Sequence, residues 1–478
     1  MAPSNKAHVA VLAFPISSHS SALFFLARKL SEWAPDVAFS FFCTPKTNGS
    51  LSSLPTLPNL RIYDVADGLP EGHTPGNYRE AVKRVDEIEK VSCVVSDVLL
   101  WFGREMAEQM GVAWVAFWIA GASALSVHLN TDLIRRKMGT RSEEVSARMD
   151  ESLAFIPGRS LFRVRDLPEG IVFGPLDFSL YESLHRMSQD LPRAAAILVN
   201  TIEEMDYDPV LDHLRTVLNK CLPVGPLTLL APTRPDSDDD PHSCLPWLEV
   251  QAHAPASVAY VGFGTVIMPP PSELAAAAGA LEESGVHFLW SLKDNMRESL
   301  PAGFLDRTCR RGLVVPWTPQ SRVLGHVAVG AFINHCRWNS VLESIAFGVP
   351  MIYRPFFADH RINARILSQV LGIAVEVKGG VLSKDGVMDG LDLLLKRGEG
   401  KEMRERIGAL KLIAKNAVGE TGSSTKNLED NFGDYKGHCS LTEDSSCEYY
   451  YEEQASEEIP EDLQPAEEAR EWSVDDVE

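Results

Sequence analysis

Short apolar runs alternate along this chain with stretches whose apolar positions recur every three or four residues. HVAVLAF is followed by the amphipathic ALFFLARKLSEW and then by VAFSFFC; VSCVVSDVLLWF is followed by GREMAEQMGVAWVAFW. Strand, helix and strand in this order predict parallel-sheet units with helices packed on the faces. RAAAILVNTIEEM reads as a late strand of the same domain. The pattern then breaks at CLPVGPLTLLAPTRPDSDDDPH, whose proline and aspartate make it the best candidate for an interdomain linker. A second series follows, with ASVAYVGFGTV, HFLWSL, GLVVPW, GAFIN and VPMIYRP as strands and SELAAAAGALEESG and NSVLESIAFG as helices. The predicted fold is α/β, two doubly wound domains facing each other across a cleft. The expected bounds are 1–229 for the first domain, 230–243 for the linker, 244–427 for the second domain and 428–478 for an acidic tail.

Composition changes this picture in one place. The net charge is −21, but from Glu429 onward 18 acidic residues stand against Lys436 and Arg470, so −16 of it falls on the tail. Glu, Ser, Tyr and Pro in that mixture cannot bury a core, and the tail reads as disordered. The body carries no basic excess that would suggest nucleic acid or anionic lipid as a partner. Eight cysteines are scattered without a C-x-x-C pair, which argues against zinc and against a disulfide framework and makes a reducing cytosol the simplest compartment. HVAVLAF is too short for a signal peptide and breaks at Pro15, and no segment is long enough to span a membrane. Asp236 to Asp240 lack the glycine and distal glutamate of a calcium loop and read as solvated linker. No G-x-G-x-x-G follows a strand, which counts against NAD or FAD.

The chemistry concentrates in WTPQSRVLGHVAVGAFINHCRWNSVLESIAFGVPMIYRPFFADH, from Trp317 to His360. GAFIN is a buried strand, HCRW a turn, and NSVLESIAFG a helix that closes at Gly348-Val349-Pro350. A helix N-terminus offers free N–H groups and partial positive charge, so a diphosphate fits there with His335, Asn339 and Ser340 as further donors. Glu343, one turn on, is spaced to bond ribose hydroxyls, and Trp317 supplies a flat face for a base.

This stretch resembles the signature box of the plant UDP-dependent glycosyltransferases of secondary metabolism, which opens with W-x-P-Q, carries H-C-G-W-N-S-x-x-E and ends with D-Q. Trp317, Pro319, Gln320, His335, Cys336, Trp338, Asn339, Ser340, Glu343 and Asp359 match it. HVAVLAFPISSH, FIPGRSLFRVRDLPEGIVFG, SLPAGFLDRT and AVGETGSSTKN are similar to landmarks of the flavonoid 3-O-glycosyltransferase branch, so the likeness runs from about residue 7 to 427. It implies two facing Rossmann-like domains of the GT-B type, acceptor bound mainly by the first and sugar nucleotide by the second. His19 falls on the family's catalytic histidine and Asp97 on the aspartate that orients it. Thr265 falls on a phosphate-binding hydroxyl, Gln320 on a ribose contact, and His128 on a position near the flavonoid. Trp338, Asp359 and His360 fall in the UDP-sugar site. The implied reaction inverts the anomeric centre, takes UDP-galactose or UDP-glucose as co-substrate, needs no metal or other cofactor, and runs in a cytoplasmic monomer.

Four departures set expectations of their own. Arg337 replaces the glycine of H-C-G-W-N-S; glycine there permits close backbone approach and unusual dihedrals, so arginine is expected to damage the turn unless it pairs with the diphosphate. His360 replaces glutamine, and in this branch histidine accompanies galactose donors. Ile119 stands where the branch has threonine, removing a hydroxyl. The segment between Gly68 and Val91 is shorter than usual, which loosens the prediction of acceptor; Ala22 in place of a proline carries little weight. Two rivals therefore stand beside the enzyme: an impaired binder of sugar nucleotide or flavonoid, and a glycosyltransferase for another small phenolic or terpenoid alcohol.

Overall fold

The computed structural model describes residues 7–432 apart from 52–53, 55–56, 67–74, 206–208, 232–239 and 265–267. Seven parallel strands form the first sheet: β1 (His8–Leu12), β2 (Ala38–Cys43), β3 (Leu60–Asp64), β4 (Cys93–Asp97), β5 (Ala113–Trp118), β6 (Ala196–Val199) and β7 (Cys221–Pro223), in the order 3-2-1-4-5-6-7. Six more form the second: β8 (Val258–Gly262), β9 (His287–Ser291), β10 (Gly312–Val315), β11 (Val329–Asn334), β12 (Met351–Tyr353) and β13 (Ala374–Glu376), in the order 10-9-8-11-12-13. Both sheets are doubly wound as predicted.

Alternation along β1 shows how the core is divided. Val9 and Val11 join a cluster on one face with Leu23, Phe39 and Phe41, while Ala10 and Leu12 join the cluster on the other with Phe42, Val94 and Leu125. A strand buried on both faces is apolar throughout, which is why these segments were legible as strands. β3 was not, because it is an edge strand with Arg61, Ile62 and Asp64 exposed. β7 and β13 have three residues each and were too short to carry a pattern. The proline-rich stretch that opens at Cys221 thus starts inside the first sheet, at β7, and most of the charged part of the linker expected at 230–243 lies outside the described residues.

The chain order reverses between β1 and β4 in the first sheet and between β8 and β11 in the second. Loops that leave the carboxyl ends of such neighbouring strands in opposite directions open a crevice where ligands bind. The last helix, Ser423–Phe432, returns to the first domain: Ser424 Oγ donates to Gly225 O at 2.6 Å, Asn427 Nδ2 to Pro223 O at 2.8 Å, and Leu428 is buried beside Val9 and Val224. Burying one leucine is worth about 1.5–3 kcal/mol, so this helix continues to Phe432, past the residue at which composition alone places the tail. From residue 433 the tail lies outside the described residues. No described helix is long and apolar enough to cross a membrane.

Candidate functional site

His19 occupies the first turn of the helix Ser17–Trp33, which starts five residues after β1 ends. The serine-rich segment around His19 is thus already helical, with Ser20 Oγ bonded back to Ile16 O and Ser17 O at 3.2 Å. Asp97 is the last residue of β4 and fully buried. His19 Nδ1–H donates to Asp97 Oδ2 at 2.8 Å, and Asp97 Oδ1 accepts from Leu99 N–H at 2.9 Å. One carboxylate, held by the backbone on one oxygen, fixes the imidazole through the other. The Nε2 of His19 is left with the lone pair that a general base needs.

Across the crevice, β11 ends at Asn334, whose Oδ1 accepts the Cys336 N–H at 2.8 Å and folds the turn back on itself. The left-handed residue of this turn is Cys336, at φ +64°. Arg337 has φ −63° and ψ 137° and serves as N-cap of the helix Trp338–Phe347. The expected backbone damage from a side chain at 337 does not arise, because the turn places its positive φ one residue earlier. The helix ends on Gly348 at φ +79°, a left-handed C-cap that glycine adopts without a Cβ penalty.

His335, Arg337, Asp359 and His360 form one group at this turn. His335 and His360 are edge to face at 5.0 Å between ring centroids. Burial, with Arg337 as the next cause, pushes the His335 imidazolium down to about 3, so the ring is neutral. Burial and the surrounding cations hold His360 well below its ordinary range too. Phe356 N–H donates to its Nδ1 at 3.3 Å, which places the proton of the neutral ring on Nε2. Burial lowers the Arg337 guanidinium and raises the Asp359 carboxyl, and each offsets part of the other's shift. Asn363 Nδ2 ties Asp359 Oδ2, at 2.8 Å, to Cys336 O, at 2.9 Å. The group sets one guanidinium and two neutral imidazoles, all largely desolvated, beside a helix N-terminus, a place suited to an anion.

One turn along, Glu343 accepts from Ser321 Oγ at 2.6 Å and from Gln320 Nε2, while Gln320 Oε1 accepts from Tyr260 OH at 3.1 Å. Burial raises the Glu343 carboxyl above its ordinary range. Gln320 also donates to Ser340 Oγ at 3.2 Å, so both ends of its amide are engaged within the protein. Trp317, by contrast, is 44% exposed, an open face for a base.

Two signature residues hold the domains together. The Trp338 indole lies against Gly121, where an added Cβ would come within 3.2 Å of the ring, and its Nε1–H donates to Asn200 O. Asn339 Nδ2 donates to Ser18 O at 3.2 Å, and Asn200 Nδ2 donates to Asn339 Oδ1 at 3.2 Å. Asn200, just after β6, was not singled out in the sequence; its only local signal is a polar residue closing the run AILV. His128 is buried on the helix Ala122–Leu129, edge to face with Trp118 at 5.6 Å, and burial pushes it down to about 4. Ile119 packs at the rim of the first domain's core and Ala22 within it. The short segment before Val91 still carries a helix, Pro75–Ile88, whose Tyr78 hydroxyl donates to Ala13 O at 2.7 Å, in the connection between β1 and the helix that bears His19. Thr265 lies outside the described residues. Among those described, no three His, Cys, Asp or Glu side chains converge as a metal site would require.

Two doubly wound sheets whose switch points oppose each other across a cleft are the GT-B arrangement of nucleotide-sugar glycosyltransferases. The chain belongs to the UDP-glycosyltransferase family: residues 61–415 match the family described as UDP-glucoronosyl and UDP-glucosyl transferase. It is 45% identical over 442 residues to an anthocyanidin 3-O-glucosyltransferase of Vitis vinifera, covering 88% of this chain and 95% of the relative. It is 44% identical over 448 residues to an anthocyanidin 3-O-galactosyltransferase of Rhododendron delavayi, covering 88% and 96%. Among solved structures it is similar to a UDP-glucose:anthocyanidin 3-O-glucosyltransferase in complex with UDP, with TM-score 0.82 and 36% identity over 90% of this chain and 99% of that one.

Proposed function

We propose that this UDP-glycosyltransferase moves a hexose, galactose or glucose, from its UDP-sugar to the 3-hydroxyl of a flavonoid such as an anthocyanidin or flavonol, inverting the anomeric centre. The observation that carries the reading is the His19–Asp97 pair at one switch point, opposed by the His335 turn at the other. The named activities of the relatives in Vitis and Rhododendron support the acceptor class.

In this reading His19 Nε2 takes the proton of the acceptor hydroxyl as its oxygen attacks the anomeric carbon and the bond to UDP breaks. A phenol near pKa 10 exceeds an imidazole near 6.5 by several units, so proton transfer accompanies bond formation rather than preceding it. Asp97 stabilises the imidazolium that forms. Charge building on the departing diphosphate meets the N–H groups of the helix Trp338–Phe347, with His335 and Arg337 beside them, and no metal is called on. Glu343 and Gln320 hold the ribose, Trp317 the base, Asp359 and His360 the sugar, and His128 borders the acceptor. Arg337 has an ordinary backbone and its charge is felt by His335 and Asp359 at the helix N-terminus, which favours an added phosphate contact over an impaired site.

Incubation with quercetin or cyanidin and either UDP-hexose tests this, with the product identified by NMR. A β-linked 3-O-hexoside is expected. UDP binding without turnover on any flavonoid would point instead to the impaired binder.

A further inference from the structure

The helix His360–Arg365 follows β12 and is part of the second domain by sequence, yet its apolar side is sunk into the first. Ile362, and Ile366 at the start of the following π turn, are buried within the hydrophobic cluster of the first domain. Two first-domain carboxylates grip the same helix. Glu169 Oε1 pairs with Arg361 Nη1 at 2.8 Å, its Oε2 accepts the Ala358 N–H at 2.8 Å, and Asp166 takes the Arg365 guanidinium through both oxygens. Carboxylates three positions apart thus meet arginines four apart, one helical turn, with one grip at each end.

Ala358 has φ +51°, the left-handed region that residues with a Cβ seldom adopt. Its bend sets the direction in which Asp359 and His360 leave the loop, and the group that accepts its N–H comes from the other domain. From inside the second domain the loop is held by Arg354, paired with Glu273 at 2.7 and 3.0 Å. Gln320 is held by Tyr260, Ser340 and Glu343, within the second domain. Glu169 also lies near His128 and Tyr181 of the first domain.

We infer that Glu169 is a positioning residue for the donor sugar: through Ala358 and Arg361 it sets the loop bearing Asp359 and His360, so sugar recognition is completed only when the acceptor domain is docked. This rests on the proposed placing of the sugar at Asp359 and His360. It separates the sugar from the nucleotide: removing Glu169 weakens recognition of the hexose and spares that of UDP.

Calorimetric titration of wild type, Glu169→Ala and Glu169→Gln with UDP, UDP-galactose and UDP-glucose, together with KM and kcat, tests it. For Glu169→Ala, loss of a charge-assisted bond is expected to weaken UDP-sugar affinity about tenfold and leave UDP within about twofold. Glu169→Gln keeps an oxygen for the Ala358 N–H and should lose less, a rescue that a bulk loss of stability would not produce; it also carries the test if the alanine variant does not fold. Equal weakening for UDP and UDP-sugars, or no change for either, overturns the inference. A wild type that binds UDP-sugars without transferring them would defeat the proposed reaction, while the binding comparison would still decide the role of Glu169.

Discussion

Asn339, in the first turn of the helix Trp338–Phe347, donates its side-chain N–H to the carbonyl of Ser18, the residue before His19, at 3.2 Å. The turn expected to hold the leaving group and the expected base are therefore joined by one hydrogen bond across the cleft. Asn200 braces it, donating to Asn339 Oδ1 and accepting Leu227 N–H at 3.1 Å and the Trp338 indole N–H. Misplacing reacting groups by an ångström costs on the order of a hundredfold in rate. Asn200→Ala, which contacts neither substrate, should lower kcat by about tenfold or more through this misalignment, with UDP affinity within about twofold. Steady-state kinetics with a UDP titration checks this; an unchanged kcat would deny the brace a role.

Arg337 is the residue on which sequence and structure disagree most. The backbone there is extended, so Arg337→Gly should leave the folded state intact and not repair it. Loss of a charge-assisted contact to phosphate should weaken UDP binding by about tenfold and flatten its salt dependence. Activity that emerges only in the glycine variant would mean that the side chain blocks the site.

His360 presents Nε2–H as a donor because Phe356 N–H occupies its Nδ1. A glutamine amide at this place offers both a donor and an acceptor, and the two hexose epimers differ only at the 4-hydroxyl. His360→Gln should shift the ratio of kcat/KM for UDP-galactose over UDP-glucose toward glucose by about tenfold, the scale of one hydrogen bond. Competition between the two donors in one reaction measures it, and an unmoved ratio would place the choice of sugar elsewhere.

Three buried histidines make folding sensitive to acid. His128 is held at about 4, His335 at about 3 and His360 well below its ordinary value, all by burial first. Their folded values lie below the unfolded 6.5, so the unfolded chain binds more protons between these limits. Stability is fully present above about pH 6.5 and falls as pH drops, by up to about 1.4 kcal/mol per pH unit for each histidine. Glu343 and Asp359, raised by burial, act oppositely and offset part of this loss. The Tm should decline from pH 7 to pH 5, and less steeply with UDP present, since the diphosphate lets His335 carry a proton. A Tm that rises on acidification would contradict the neutral buried rings.

The doubly wound sheets were readable because β1, β4, β5, β8 and β11 are buried on both faces and mostly apolar, with polar residues only at their ends. His19 and Asp97 could be placed at carboxyl ends of strands, but they lie seventy-eight residues apart along the chain and their 2.8 Å contact depends on the pairing of β1 with β4. Asn200, Asp166 and Glu169 escaped notice because each acts on the opposite domain, and no local period encodes a contact of that kind. The dihedral at Arg337 was illegible for a similar reason: a sequence shows which residue replaced a glycine, and only the folded turn shows that Cys336 takes the positive φ.

The central claim, transfer of a hexose to a flavonoid 3-hydroxyl with His19 as base, is tested most directly by turnover of quercetin with UDP-galactose and UDP-glucose by wild type and His19→Ala. The expected result is a β-linked 3-O-hexoside from wild type, and from His19→Ala a rate lower by a factor of about a hundred to ten thousand with UDP affinity retained. Near-full turnover by His19→Ala would contradict it.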